Sequence, residues 1–527
     1  MTNTARTTTK YQVMNTYKSL SDWHSFRLRL FAEGIVTGLF AGLVISFFRY
    51  GLTVAEGYRH QLYAFLANAP WYCHAGWFAA LVVIGLVLHA LNKIEPVAAG
   101  SGIPQVKGAI LGVVKMRWFS VLWVKLTAGI MGIGAGLSLG REGPSIQLGA
   151  VTAQGVSRLL GRTRMEERYL ITSGSSAGLA AAFNAPLAGV MFALEELHHN
   201  FSIVVMLPAM AAAMTATVVS RFLFGRASIF EFTQLPLLPL DNYIWVILTA
   251  AVVGLCGVAF NKSLLSIGRF YALPVFINPA AKIIFALITA GVLGYFLPQI
   301  LGGGNSLINH LARTPVSLQL LVLLLAGKFI FTLISYGCGV PGGFFLPMLV
   351  IGALAGNICS TLLINAGLID PAYASNIIVI AMASLFAAST RAPITGTVLI
   401  MEMTASYQHL LVLSIASMVA FVMAELCKSK PIYEELLNRS LRQSAPAPQT
   451  MQQRNVIELA VCSGSPIEGK AIRDIPWPVN TLLVDVKRGE QQIIPRGDTR
   501  IKAGDFLYIL SSNENAGKLQ ELTGEKE

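Results

Sequence analysis

The sequence predicts an all-α polytopic membrane protein built from two repeated halves of tilted, partly broken helices, followed by a small α+β domain. Three observations carry that prediction. Only 13 % of the 527 residues are charged and 54 % are hydrophobic, whereas soluble domains carry about 25 % charged residues. Charge-poor apolar runs recur at Tyr169–Leu194, Asn200–Ser220, Asn242–Asn261, Ile283–Ala312, Phe329–Ile369 and Thr404–Ala424, each long enough to cross roughly 30 Å of hydrocarbon. Two motif pairs also recur at nearly one offset, which marks an internal duplication.

Taken in order, residues 1–29 form a polar, basic segment, and the first apolar stretch begins near Phe31. That pattern is unlike a cleavable signal. Lys10, Lys18, Arg27 and Arg29 place this end in the cytosol by the positive-inside rule, as they do Lys107–Arg117 and RLLGRTRMEER at 158–168. The membrane domain is expected over 30–440, its halves covering roughly 30–225 and 240–440. The net charge of +12 then reads as orientation signal. It forms no basic groove, so nucleic acid is not an expected partner. Six cysteines lie scattered without CxxC spacing, which suits apolar fillers or free thiols and leaves no metal or cofactor expected.

The duplication is visible in two places. FNAPLAGVMFALE (183–195) matches TRAPITGTVLIME (390–402) at an offset of 207, and GLSLGREGP (136–144) matches GVPGGFFLP (339–347) at 203. Lys125 and Lys328 share the second offset. Duplicated membrane halves commonly form inverted repeats with the transported ion at their interface, held by broken helices. GSGIPQ (100–105), GREGP and GVPGGFFLP are Gly/Pro-rich breaks of this kind. Each could open a helix whose first N–H groups lack partners and carry about half a positive charge. Several converging on one point would make an anion site without a full cation.

Glu142 stands out against this background. From Leu126 to Ser157 only Arg141 and Glu142 carry charge, and an ionisable residue inside an apolar run is a functional candidate by default.

Five motifs in order, GSGIP, GREGP, APLAGVMFALEE, GGFFLP and KPIY (430–433), resemble the CLC family of chloride channels and chloride/proton antiporters over residues 30–440. The resemblance implies that Ser101, with Gly102 and Ile103 beside it, donates to a central anion. Tyr433 would donate its phenol, and Phe344 and Phe345 their backbone N–H groups. Glu142 would be the gating glutamate and Glu196 the internal proton-transfer glutamate. Arg141, Gly143, Pro144 and Glu195 would support them from behind. The implied assembly is a homodimer in a lipid bilayer, in a bacterial inner membrane with both termini cytoplasmic, exchanging chloride for protons. Ser101 in place of proline implies chloride over nitrate by analogy alone.

Two departures from the family pattern matter. Phe344 stands where a smaller aliphatic is common, and LHHNF places His198 and His199 near the expected proton entrance. Those histidines titrate near neutrality and could tune proton supply, although the plainer reading is a pair of interfacial histidines. Glu195 reads more simply as an architectural end to its helix than as a chemical group, because Glu402 ends the matching helix of the second half.

The expected mechanism is competition. Deprotonated Glu142 occupies the helix-end anion site, and protonation lets a chloride replace it, which links the two ions reciprocally. A passive chloride channel of the same fold is the alternative. A membrane enzyme is disfavoured, since there is no HExxH and no GxSG with a plausible histidine partner.

Residues 441–455 read as a Pro/Gln-rich linker. From 456 to 527, alternating strands with RGD and AGD turns resemble the TrkA-C ligand-binding domain of potassium-conductance regulators, which implies a regulatory role and a small ligand.

Overall fold

The two halves resolve into the same succession of helices. The computed structural model describes residues 23–199, 201–225, 229–230, 232, 235–444, 454–488, 491–512 and 515–524. The first half comprises α1 (Trp23–Leu66), α2 (Trp71–Ile94), α3 (Ile103–Leu111), α4 (Trp118–Gly134), α5 (Glu142–Leu159), α6 (Arg164–Phe183), α7 (Pro186–Phe192, extended by a π-turn Ala193–His198) and α8 (Ile203–Phe224). The second half answers with α9 (Tyr243–Phe270), α10 (Pro279–Phe296), α11 (Asn305–Arg313), α12 (Leu318–Gly337), α13 (Phe345–Asn365), α14 (Ala374–Thr390), α15 (Pro393–Thr404) and α16 (Leu410–Leu426). α17 (Ile432–Ser444) follows. Among the described residues, nine helical segments are long and apolar enough to cross a membrane.

α1 begins at Trp23, inside the segment expected to be a polar tail through residue 29, and α17 runs to Ser444, into the stretch expected to be linker. The run Tyr169–Leu194 breaks at Asn184, which adopts φ 55°, before Pro186 opens α7. Proline at a first helical position costs nothing, because its missing N–H would be unpaired there anyway.

Small residues let the helices approach closely. A Cβ on Gly149 of α5 would lie 2.1 Å from the Gly174 carbonyl of α6, and one on Gly178 would lie 2.2 Å from the Ser145 carbonyl. Such backbone proximity is how membrane helices gain dispersion contact without a hydrophobic driving force.

The repeat symmetry extends to buried lysines. Lys125 Nζ donates to the Ala98 and Gly100 carbonyls at 2.9 and 2.7 Å, and Lys328 Nζ to Ile300 and Gly302 at 2.9 and 2.8 Å. Each lysine thereby folds a Gly-rich loop that ends in a left-handed glycine, Gly102 (φ 94°) or Gly304 (φ 97°), at the start of a nine-residue helix.

The chain divides into two compact units, Met1–Ser440 and Leu441–Glu527. The second contains an antiparallel four-stranded sheet in the order β1-β4-β2-β3, from β1 (Arg454–Ala460), β2 (Leu482–Arg488), β3 (Gln491–Ile493) and β4 (Asp505–Ser512), together with α18 (Ala516–Thr523). Asp505, Leu507, Ile509 and Ser511 of β4 are buried, the period-two signature of a sheet with one covered face. Leu507 and Ile509 pack with Leu459, Ile467, Val486, Ile501 and Leu519 to form the core of this unit.

Candidate anion and proton pathway

Three Gly-rich loops are tied into one frame. Gly140 and Gly343, equivalent positions of the two halves, exchange both backbone hydrogen bonds at 2.6 and 2.9 Å, and the Gly342 N–H donates to Gly100 at 3.0 Å. The frame brings Ser101 against the start of α5. A Cβ on Gly143 would lie 2.6 Å from both oxygens of Ser101, so glycine is what permits this contact.

The helix ends that meet here share one design. α5 opens Glu142-Gly143-Pro144 and α13 opens Phe345-Leu346-Pro347. In each, the first two N–H groups have no acceptor within the helix, and the proline contributes none. Ser101 and Tyr433 are 1 % and 0 % exposed, yet neither hydroxyl has a hydrogen-bond partner. Buried polar groups are nearly always paired, and an exception calls for a missing ligand or water. Both hydroxyls are donors free to orient towards an anion.

An aromatic wall completes the site. Tyr433 stacks on Phe344 with ring centroids 5.3 Å apart and 22° between planes, and Phe192 meets Tyr433 edge-on. Tyr336 packs edge-on against Phe344 and hydrogen-bonds the Ser101 backbone. Sequence reasoning missed Tyr336, because nothing in its own motif distinguishes it from an interfacial tyrosine.

Glu142 is fully buried, and its Oε2 accepts from the Leu346 N–H at 3.3 Å, while Oε1 has no partner. The carboxylate therefore sits on the first turn of α13, where an anion would be stabilised. Its Oε2 lies over Gly140, 2.1 Å from where a Cβ would stand. Arg141 lines a cavity of about 230 Å³ with Glu56, Arg59, His60, Asn305 and Leu346.

Glu196 is 1 % exposed and lies in the π-turn that extends α7, a local widening frequent at functional positions. Lys107 Nζ lies 3.4 Å from its Oε1 and 2.8 Å from His199 Nε2. Tyr433 is within electrostatic reach of both Glu196 and Glu142. His198 instead stacks on Tyr169.

Glu195 belongs to a different structure. It accepts from the Ile394 and Thr395 N–H groups at 3.2 and 2.6 Å and from the Thr395 hydroxyl at 2.7 Å, capping α15. Glu402 of α15 returns the bond to the Leu187 and Ala188 N–H groups of α7 at 3.2 and 2.8 Å. Equivalent helices that cap each other run antiparallel, so the halves are inverted with respect to one another.

An inverted pair of helical halves around buried, unpaired hydroxyls defines a membrane transport protein. The voltage-gated chloride channel family model matches residues 80–425, and the TrkA-C domain model matches 456–524. The chain belongs to the voltage-gated chloride channel (CLC) family. It is 34 % identical to the H(+)/Cl(-) exchange transporter ClcA of Vibrio campbellii over 78 % of this chain and 90 % of the relative. It is 32 % identical to the ClcA of Yersinia pestis over 79 % and 88 %. Among solved structures, a slow cyanobacterial Cl-/H+ antiporter superposes with TM-score 0.74 at 30 % identity, covering 79 % of this chain and 99 % of that one. A CLC-type fluoride/proton antiporter gives TM-score 0.64 at 25 % identity, covering 77 % and 97 %.

Proposed function

We propose that this protein is a proton-coupled chloride antiporter with Glu142 as the gate and Glu196 as the internal proton-transfer residue. One observation carries the reading: the Glu142 carboxylate rests on the N-terminus of α13 while the Ser101 and Tyr433 hydroxyls nearby are buried without partners. A carboxylate in that place competes with chloride for the same N–H groups. Protonation removes its charge, so the side chain leaves and an anion takes over. Each ion therefore alters the binding of the other by the same factor.

The exchange activity named for the Vibrio and Yersinia relatives supports this reading, and the buried Glu196 offers a second proton acceptor within electrostatic reach of Tyr433. By the same reading the protein is a homodimer in a bacterial inner membrane with both termini cytoplasmic. Residues 30–440 carry transport, and residues 456–527 form a regulatory domain that takes a small ligand.

Flux measurements in liposomes with a pH probe test the assignment. Glu142→Gln is expected to abolish proton movement while anions flow passively, and Glu196→Gln to keep anion flux without proton movement. Proton pumping that persists in either variant refutes the corresponding role. A reversal potential indifferent to an imposed pH gradient in the unmodified protein would instead identify a passive channel.

A further inference from the structure

Lys107 lies on α3, six residues beyond Ser101, and is only 4 % exposed. Lysine is almost never buried without a partner, and this one has two. Its Nζ is 3.4 Å from Glu196 Oε1 and 2.8 Å from His199 Nε2. An ammonium only donates, so His199 Nε2 accepts and the ring carries its proton on Nδ1. The same imidazole hydrogen-bonds the Glu195 backbone, and the residue is exposed. One buried cation is thus shared between an enclosed carboxylate and an imidazole that reaches solvent.

The surrounding charges do not take over either role. The Glu195 carboxylate is committed to α15. His198 stacks on Tyr169 and reaches His199 only through space. From α17, Tyr433 faces Glu196, and exposed Glu434 is within electrostatic reach of both Glu196 and His199.

An adjacent ammonium favours the charged form of a carboxylate, and burial favours the neutral form. Lys107 therefore decides how acidic the proton source must be before Glu196 accepts a proton and becomes a carboxylic acid. Neutral His199 draws part of the ammonium's hydrogen bonding away from Glu196. Protonated His199 loses its acceptor and sets a like charge 2.8 Å from the ammonium.

We propose that Lys107 is a positioning residue that sets proton loading of Glu196, and that His199, by sharing Lys107, ties this loading to the pH of the adjoining solution. The proposal rests on the reading of Glu196 as the proton-transfer residue.

The test is chloride-driven proton uptake by the full chain in liposomes, as a function of pH on the Glu196 side. Lys107→Met is expected to raise the half-maximal pH by about one unit, a tenfold change in proton concentration, and Lys107→Arg to restore the original profile. His199→Ala leaves Glu196 as the sole partner of Lys107, so its half-maximal pH is expected to fall. An unmoved profile in Lys107→Met with intact anion flux overturns the proposal. If that variant does not insert, His199→Ala decides the matter, and an unmoved or rising profile there overturns it. Lys107→Met/Glu196→Gln, which buries no unpaired charge, is expected to insert and pass anions. Glu196→Gln separates the two readings: persistent coupling there defeats the Glu196 assignment, whereas uncoupling there with an unmoved Lys107→Met profile defeats only the Lys107 inference.

Discussion

Glu195 and Glu402 occupy the same place in two copies of one motif, and each closes the first turn of the other's helix. Glu195 bonds the start of α15 and Glu402 the start of α7. The pair acts as a two-point clasp between the halves. Glu195→Ala and Glu402→Ala should each destabilise the protein by about 1–2 kcal/mol, the usual cost of a lost N-cap. Thermal unfolding in detergent checks this, and the folded fraction should keep its ratio of anion to proton flux.

Gly140 leaves room for the Glu142 carboxylate. A methyl group there would overlap the Glu142 carboxylate at 2.1 Å, and Gly140 is not among the positive-φ residues, so the effect of alanine is steric. Gly140→Ala should therefore expel the carboxylate from the α13 end and resemble its protonated state. Chloride flux at alkaline pH should rise and proton coupling should fall. A Gly140→Ala protein with unchanged coupling would contradict this account.

Lys125 and Lys328 perform the same folding task, but only Lys125 holds the loop that carries Ser101. Lys125→Met frees the Ala98 and Gly100 carbonyls and should move Ser101 out of register. Chloride affinity, measured by calorimetry, should fall about tenfold, which corresponds to about 1.4 kcal/mol. Lys328→Met should cost comparable stability and leave chloride affinity within about twofold, since its loss is one of fold and not of contact.

Tyr433 makes separable contributions. Tyr433→Phe removes an unpaired hydroxyl and keeps the stack on Phe344, so stability should hold while chloride affinity falls several-fold. Tyr433→Ala also opens a cavity and should cost about 3–5 kcal/mol, the range for a buried aromatic. Unchanged chloride affinity in Tyr433→Phe would mean that the hydroxyl does not touch the anion.

In the C-terminal unit, Arg488 grips buried Asp505 with two bonds of 2.8 Å, from Nε to Oδ1 and from Nη2 to Oδ2. Burial pushes the Asp505 carboxyl up, but the bonds from Arg488 and from the Lys502 N–H outweigh it and hold the carboxyl below its ordinary range. The stabilisation is thus full above the unfolded value of about 3.9 and is lost as pH falls from there through the lower folded value. Hydrogen exchange of β2 and β4 in the full chain should be unchanged between pH 7 and 5 and accelerate below about 4, after correction for the intrinsic rate. Asp505→Asn should lower the stability of this unit by about 2 kcal/mol at neutral pH.

Much of this was legible in the residues. The duplication, the broken helices and the isolated Glu142 all follow from local pattern, because glycine, proline and a lone charge each have one dominant physical meaning in an apolar chain. What stayed hidden depends on chain direction in space. Glu195 and Glu402 read correctly as helix-terminal residues, but cross-capping requires that their helices run antiparallel. Lys107 read as an orientation charge, since no periodicity reveals that α3 carries it inward against Glu196. The shared offset of Lys125 and Lys328 was plain, yet the carbonyls they bind lie 25–28 residues away in sequence. Arg141 also belongs to what stayed hidden, since the cavity it lines with Glu56, Arg59 and Asn305 joins residues far apart in sequence.

The mutual bonds of Gly140 and Gly343, the link from Gly342 to Gly100 and the glutamate clasp join the inverted halves on several sides. A transporter that rocked one half against the other would have to break all of these in every cycle. The frame is better suited to staying still, and under the proposed gating by Glu142 the moving part is a single side chain. Side-chain rotation is far faster than collective domain motion, so the speed of such a machine would be set by how often a proton arrives, and its stability need not be sacrificed to its turnover.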